Sequence, residues 1–236
     1  AGPYDLTLRL ADPAGNEMEP TKVALEYIPA GRPLVEIRFN EGEGRTAANT
    51  GSLRNLAQHA QLTAERPVWS TNTPPGGGSH SLDLGSRAGQ YAIDLPNAAR
   101  EALEGLRSFT ITAWLNRTSD EEGPGGNRIV HMADTLGSRA GIDLVITRDG
   151  RLKIGVNEWP DQTQAAGEPG LVPMDRDAGK DNWRLIAVTY DSTAAQEHVK
   201  LYVGTTPADV RMHKAISYDR GPVGTGTGGL TVAHFN

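Results

Sequence analysis

The chain has 236 residues, with 23 basic and 29 acidic side chains, a formal net charge of −6 and no cysteine. An acidic chain lacks the basic surface that nucleic-acid binding and polybasic membrane attachment require, so we expect neither partner. The lack of cysteine excludes disulfides, thiol nucleophiles and cysteine-ligated zinc. No apolar run is long enough to span a bilayer, so we expect no membrane insertion.

In chain order, apolar residues that alternate with polar ones predict a series of half-buried strands. The alternation is clearest over 109–115 and 199–203, whereas 185–190 is apolar on both faces, as in a strand between two layers. The other predicted strands are 6–10, 23–28, 35–39, 81–84, 91–94, 128–132, 142–147, 152–156, 210–216 and 230–235. One helix is predicted over 97–106, after Pro96 and with Gly105 near its end.

The pair Asp149-Gly150 stands between two of these apolar runs and predicts a hairpin. We expect a type I′ turn there, with positive φ at both residues. These thirteen short strands, in a chain with 28 glycines and 15 prolines, predict an all-β fold. The expected architecture is an antiparallel two-sheet β-sandwich, a jelly roll, with one short helix.

Four stretches resemble, in the same order, the motifs of bacterial laminin-G-like domains, which are concanavalin A-like jelly rolls. They are Phe-Asn-Glu-Gly-Glu-Gly-Arg-Thr at 39–46, Ser-Phe-Thr-Ile-Thr-Ala-Trp-Leu at 108–115, Asp-Gly-Arg-Leu at 149–152, and Trp-Arg-Leu-Ile-Ala-Val-Thr-Tyr-Asp at 183–191. The resemblance covers residues 34–236 and implies a secreted, periplasmic or cell-surface protein. It specifies fold rather than ligand, because such sandwiches carry binding, adhesion and enzyme functions alike.

The chain departs from this family at both ends. Residues 1–33 precede the usual start and are expected to be extra strands or the tail of a preceding domain. The family's closing strand, which lies beside the first strand, would begin where the sequence stops at Asn236. We expect this gap at 35–39 to be filled by 6–10, by 23–28, or by a strand-donating partner, because an open edge promotes aggregation.

Catalytic motifs are not found in the sequence. Glu36 and Glu41 are five residues apart and would lie on opposite faces of a strand, so they do not form a glycosidase pair. There is no Gly-x-Ser-x-Gly, the six histidines show no zinc spacing, and the glycine run 224–228 lacks the lysine of a nucleotide loop. A non-catalytic protein is therefore predicted. If it cleaved glycans, Asp134, Asp143 and Glu158 would be the first carboxylates to test.

Calcium is the metal that the oxygen-rich loops favour, in a structural role. By the resemblance, Asn40, Glu41 and Asn49 lie in an opening motif that often binds calcium, and Asp143 resembles an acidic rim ligand with Asp134 nearby. A third candidate is 175–181, where Asp175, Asp177 and Asp181 alternate as in a calcium loop, although a solvated turn is the favoured explanation of that pattern.

Aromatic residues in loops indicate where a sugar could stack. Trp159 follows a predicted strand and is surrounded by polar residues that could bind hydroxyl groups: Asn157, Glu158, Asp161 and Gln162. Trp69 lies in another loop, whereas Trp114 and Trp183 lie on strands and are expected in the core.

We therefore expect a non-catalytic extracytoplasmic module that binds a carbohydrate through loops of the sandwich. The alternative is a structural module of a larger assembly, in which another protein chain supplies the missing strand.

Overall fold

The computed structural model describes residues 4–8, 21–25, 32–62, 68–83, 93–117, 127–132, 140–158, 170–172, 182–224 and 230–235. The chain divides into two compact units, Ala1–Leu34 and Val35–Asn236. In the described residues, regular structure consists of strands, one short α-helix and a turn of 3₁₀-helix (Ser52–Asn55). These elements are β1 (Tyr4–Leu8), β2 (Thr21–Leu25), β3 (Thr46–Ala48), β4 (His59–Leu62), β5 (Val68–Ser70), β6 (Ser81–Asp83), β7 (Ile93–Leu95), α1 (Asn97–Glu101), β8 (Ser108–Asn116), β9 (Asn127–His131), β10 (Ile142–Ile146), β11 (Leu152–Val156), β12 (Trp183–Asp191), β13 (Val199–Gly204), β14 (Arg211–Ile216) and β15 (Leu230–Phe235).

In the described residues of the first unit, β1 lies antiparallel to β2, with Tyr4 opposite Leu25 and Leu8 opposite Thr21. These are the strands expected to fill the gap beside 35–39. In the described residues they pair with each other in a two-stranded sheet, and the expectation that they fill the gap stays a prediction.

The second unit contains two large antiparallel sheets. The seven-stranded sheet has the order β11-β10-β9-β15-β7-β4-β3, and the four-stranded sheet has the order β14-β13-β12-β8. The last strand of the chain, β15, therefore lies in the middle of the larger sheet, between β9 and β7. A small hairpin of β5 and β6 forms a separate two-stranded sheet.

The two large sheets share one hydrophobic core. Ile93, Leu144 and Ile154 from the seven-stranded sheet belong to the same buried cluster as Ile186 and Leu201 from the four-stranded sheet. Burial of these branched side chains is the main stabilising term of such a sandwich. The all-β class and the antiparallel sheets are confirmed, while the jelly-roll connectivity remains a prediction. Within the described residues, no helix is long and apolar enough to cross a membrane.

Several local predictions need correction. In 35–39, regular pairing is limited to one bridge between Ile37 and Asn49. The helix ends at Glu101, and 102–105 is a turn that closes with Gly105 at φ +76°. The short strands β3, β4 and β5 were not predicted.

The hairpin at Asp149-Gly150 is confirmed, but its turn type is not type I′. Ile146 pairs with Leu152 across the hairpin, and Gly150 N donates to Thr147 O at 2.9 Å. Gly150 has φ +77°, whereas Asp149 has no positive φ, so the turn is a type I turn followed by a glycine bulge. A Cβ at Gly150 would lie 2.5 Å from Val172 O, which also requires glycine.

Candidate functional site

The outward face of the four-stranded sheet carries polar and aromatic side chains. Ile186, Val188 and Tyr190 of β12 are buried in the core. Because side chains alternate along a strand, their neighbours Ala187 and Thr189 point away from the core. Residues paired across a sheet share its face, so the pairing of these strands assigns further residues to the outward face. We call the following residues the open sheet face: Thr110, Thr112, Trp114, Thr189, Lys200 and Tyr202.

One row of this face combines hydroxyl and amine groups. Thr189 lies opposite Thr110 on one side and Lys200 on the other. The next row places Thr112 and Tyr202 on either side of Ala187. Thr110 and Thr112 are exposed, and the other residues of the open sheet face are half-buried. The rows therefore present hydrogen-bonding groups beside an aromatic ring.

A pocket of about 360 Å³ opens at one end of the open sheet face. Besides members of that face, its lining includes Ser108, Asp191, Glu197 and His198. Lys200 Nζ lies 3.9 Å from Glu197 Oε2. A hydrogen bond from the Thr193 hydroxyl lowers the pKa of Asp191, which is therefore ionised at neutral pH. The pocket thus offers hydroxyl groups and both signs of charge.

Trp114 and Tyr202 keep unused hydrogen-bonding capacity on the open sheet face. In the described part of the chain, neither Trp114 Nε1 nor the Tyr202 hydroxyl has a hydrogen-bond partner. Trp183 differs: it is 8% exposed, and its Nε1 donates to Asn72 Oδ1 at 3.1 Å. Trp183 is in the core as predicted, whereas the prediction that Trp114 lies in the core was wrong. The sequence already indicated an outward position for Trp114, because it alternates with the apolar residues in step with Thr110 and Thr112.

The loop site predicted after β11 is organised differently. Asn157 has φ +59°, and its side chain joins three segments of backbone. Its Oδ1 accepts from Gly141 N (3.2 Å) and Gly224 N (2.7 Å), and its Nδ2 donates to Arg220 O and Pro222 O, both at 2.9 Å. Because both donors and both lone pairs are used, the amide has no capacity left for a sugar hydroxyl. The structure therefore assigns Asn157 a structural role.

Glu158 belongs to a polar cluster beside Asn157. Its Oε1 accepts from the Tyr218 hydroxyl and from Arg220 Nε, both at 2.9 Å. The Arg220 guanidinium lies 4.7 Å from the centre of the Tyr218 ring, and burial raises the pKa of Tyr218 so that it stays protonated. Trp159, Asp161 and Gln162 lie outside the described residues, so their part of the prediction stays open.

Trp69, the other predicted platform, is half-buried on β5. Its Nε1 donates to Gly44 O at 3.1 Å. The indole N–H is thus used to hold the 43–45 turn against β5, which leaves only the exposed part of the ring for a ligand.

Two of the predicted calcium ligands of the opening motif, Asn49 and Glu41, form side-chain hydrogen bonds within the protein. Asn49 is 4% exposed; its Oδ1 accepts from Glu36 N (2.9 Å) and Gly51 N (3.0 Å), and its Nδ2 donates to Ala57 O (2.9 Å). Glu41 Oε1 accepts from Ala48 N at 2.8 Å. The side chain of Asn40 fills the space that a Cβ at Gly78 would need. These residues stabilise the loops between 36 and 58.

Asp143 has a different partner from the one predicted. It is fully buried on β10, and its Oδ1 lies 3.2 Å from Arg128 Nε and 3.4 Å from His131 Nδ1, both on β9. The buried carboxylate therefore forms an ion pair with a guanidinium, and a calcium ion at Asp143 stays a prediction. Asp134, Asp175, Asp177 and Asp181 lie outside the described residues. Within the described residues, no three acidic or histidine side chains are grouped as metal ligands.

Comparison with known proteins gives no relative for this chain: no protein-family model, curated protein or solved structure matches it. The resemblance to laminin-G-like domains therefore rests on the four sequence stretches alone.

Proposed function

We propose that this protein is a non-catalytic recognition module that binds a carbohydrate on the open sheet face. The observation that carries the proposal is the outward position of Trp114 and Tyr202, each with an unused polar group, beside a row of threonine hydroxyls. Sugars stack their C–H faces on such rings, and neighbouring hydroxyl, amine and carboxylate groups bind their hydroxyls. The site thus moves from the predicted loop to the sheet.

The electrostatics of the pocket support binding rather than hydrolysis. A glycosidase needs one protonated and one ionised carboxyl group facing each other across the scissile bond. Asp191 is held ionised by Thr193, and Glu197 lies beside the ammonium group of Lys200. The ionised Asp191 is therefore not in the protonated form that a general acid needs.

A glycan array followed by calorimetry with the best ligand tests the proposal. Trp114→Ala and Tyr202→Ala should each weaken binding at least tenfold, whereas Leu56→Ala should not. Leu56 is a suitable control because it is 51% exposed and lies outside the four-stranded sheet. Failure to bind any sugar, or equal affinity in all three variants, would contradict the proposal. The extracytoplasmic location remains part of the proposal and is tested by fractionation of the source cells.

A second candidate function is that of an assembly module, and one observation favours it. In the described residues, β8 pairs with β12 on one side and with no strand on the other. A nine-residue edge of this kind is a template for another strand. Within the described residues, β8 is thus an open edge of the four-stranded sheet. Native mass spectrometry tests this function: a 25 kDa monomer with no bound chain would contradict it.

A further inference from the structure

The two edges of the four-stranded sheet are protected to different degrees. Edge strands that stay unpaired usually carry charges, proline or a bulge, which oppose pairing with other chains. β14 follows this rule, since it carries Arg211, His213 and Lys214 and its register with β13 shifts after Leu201. β8 has no charged residue and no proline, and it pairs with β12 without a shift over nine residues. The same sheet therefore has one protected and one unprotected edge.

The hydrogen bonds around β12 show which groups of β8 face the open edge. Asp191 N donates to His198 O, towards β13, whereas Ser192 N donates to Arg107 O, towards the β8 side. Backbone groups alternate in direction along a strand, so the odd-numbered residues of β8 face β12 and the even-numbered ones face outward. Thr110, Thr112 and Trp114 therefore present N–H and C=O groups that have no partner within the described part of the chain.

We propose that the occupant of this edge is β8 of a second copy, paired antiparallel about a two-fold axis at Thr112. This inference rests on the second proposed function and is independent of glycan binding. Thr112 is the centre of β8 and has outward backbone groups, so Thr112 of one copy forms the central pair with Thr112 of the other. Residues at equal distances on either side of Thr112 then lie opposite each other.

The sequence of β8 is self-complementary in this register. Thr110 lies opposite Trp114 on the outward face, which is a favourable pair of a β-branched and an aromatic side chain. On the inner face, Phe109 lies opposite Leu115 and Ile111 opposite Ala113. These four inner residues are only half-buried in the single chain. Pairing with a second copy places these apolar side chains beside those of the partner strand. No like charges meet at the two-fold axis, because β8 has no charged residue.

The pairing also joins the open sheet faces of the two copies. Trp114 of the second copy lies beside Thr110 of the first, so each copy contributes an aromatic ring next to the threonine row of its partner. The eight strands then form one continuous sheet, with both threonine rows on the same surface.

Cysteine crosslinking tests the register, because the natural chain has no cysteine. In a hydrogen-bonded pair the Cα atoms are about 5.5 Å apart, which is within the range of a disulfide. Thr112→Cys should form a covalent dimer under mild oxidation. Thr110→Cys is the matched control on the same strand: its two copies are about 14 Å apart in this register, so it should stay monomeric on denaturing gels. Equal crosslinking of both variants would overturn the proposal.

Analytical ultracentrifugation of the natural chain gives the second readout. We expect a dimer, and Thr112→Lys should raise its dissociation constant at least tenfold because two ammonium groups then meet at the axis. Met212→Lys, on the protected edge, is the control and should leave the dimer unchanged; Met212 is 55% exposed. Circular dichroism checks that both variants fold. A monomer throughout, or a chain bound to a different polypeptide, would overturn the proposal.

Discussion

Replacement of Asn157 by alanine removes an amide that joins three segments of backbone. The amide makes four hydrogen bonds, two from backbone N–H groups of Gly141 and Gly224 and two to carbonyl groups of Arg220 and Pro222. The two N–H groups are partly buried and the two carbonyls are exposed, so water replaces the carbonyl bonds more readily. At about 1 kcal/mol for each partly buried bond and less for the exposed ones, the loss is about 2–4 kcal/mol.

The left-handed backbone of Asn157 adds strain to the stability lost in the alanine variant. A glycine variant distinguishes this strain from the loss of the hydrogen bonds. At φ +59°, alanine is strained by about 1 kcal/mol, whereas glycine is not. Asn157→Gly should therefore be destabilised mainly by the loss of the amide hydrogen bonds. Asn157→Ala should be less stable than Asn157→Gly because it also carries the backbone strain. Urea unfolding followed by tryptophan fluorescence measures both, and the melting temperature should fall by about 5–15 °C in either variant.

The result also decides between a structural and a ligand-binding role for Asn157. Destabilisation below about 0.5 kcal/mol in both variants would refute the hydrogen-bond argument. If glycan affinity fell while stability stayed unchanged, Asn157 would belong to a binding site after all.

Three further predictions concern charges. Asp143→Ala leaves Arg128 buried without its carboxylate and should destabilise the fold by about 3–5 kcal/mol in urea unfolding. Asp149→Ala removes an exposed carboxylate that pairs with Arg151 and accepts from the Thr147 hydroxyl; it is the control, expected within about 1 kcal/mol of the natural chain, and equal losses would contradict the argument. The Thr205 hydroxyl lowers the pKa of Asp209 to about 2. A carboxyl whose pKa is lower in the folded state stabilises it above the ordinary value near 4 and loses this effect as the pH falls towards 2. Asp209→Asn should therefore reduce the dependence of the melting temperature on pH between 4 and 2, and an unchanged slope would contradict this. Calcium bound at Asp175, Asp177 and Asp181 should raise the melting temperature in calcium chloride relative to EDTA; equal temperatures would contradict that site.

The alternation of β8 shows what the sequence could predict. The alternation identified the strand and its inner residues Phe109, Ile111, Ala113 and Leu115, and the structure confirms both. The same alternation places Trp114 outward, but the preference of tryptophan for the core outweighed it in the prediction. Here the local pattern was more reliable than the average burial of the residue type.

Contacts between distant segments could not be predicted from the sequence pattern. Asn157 meets Gly224, which is 67 positions away, and Asp143 meets Arg128 only because β9 and β10 are adjacent in a particular register. A pattern within one strand contains no information on register, and the β9–β10 pair has a shift between Leu144 and Val145. The sequence pattern that made Asp143 a candidate metal ligand therefore did not reveal its ion pair with Arg128.

The position of β15 is a further example of this limit. The strand over 230–235 was predicted with its bounds correct. Its place in the middle of the seven-stranded sheet depends on pairing with β7 and β9, which alternation alone does not specify.

The central claim, that carbohydrate binds on the open sheet face, is tested most directly by comparing two tryptophan variants with one glycan. Trp114→Ala removes the ring from the sheet, and Trp159→Ala removes the ring from the loop after β11. With the best ligand from a glycan array, and with both variants shown to be folded, we predict that Trp114→Ala binds at least tenfold more weakly than the natural chain while Trp159→Ala binds equally well. Loss of binding in Trp159→Ala with full binding in Trp114→Ala would contradict the claim and place the ligand in the loop.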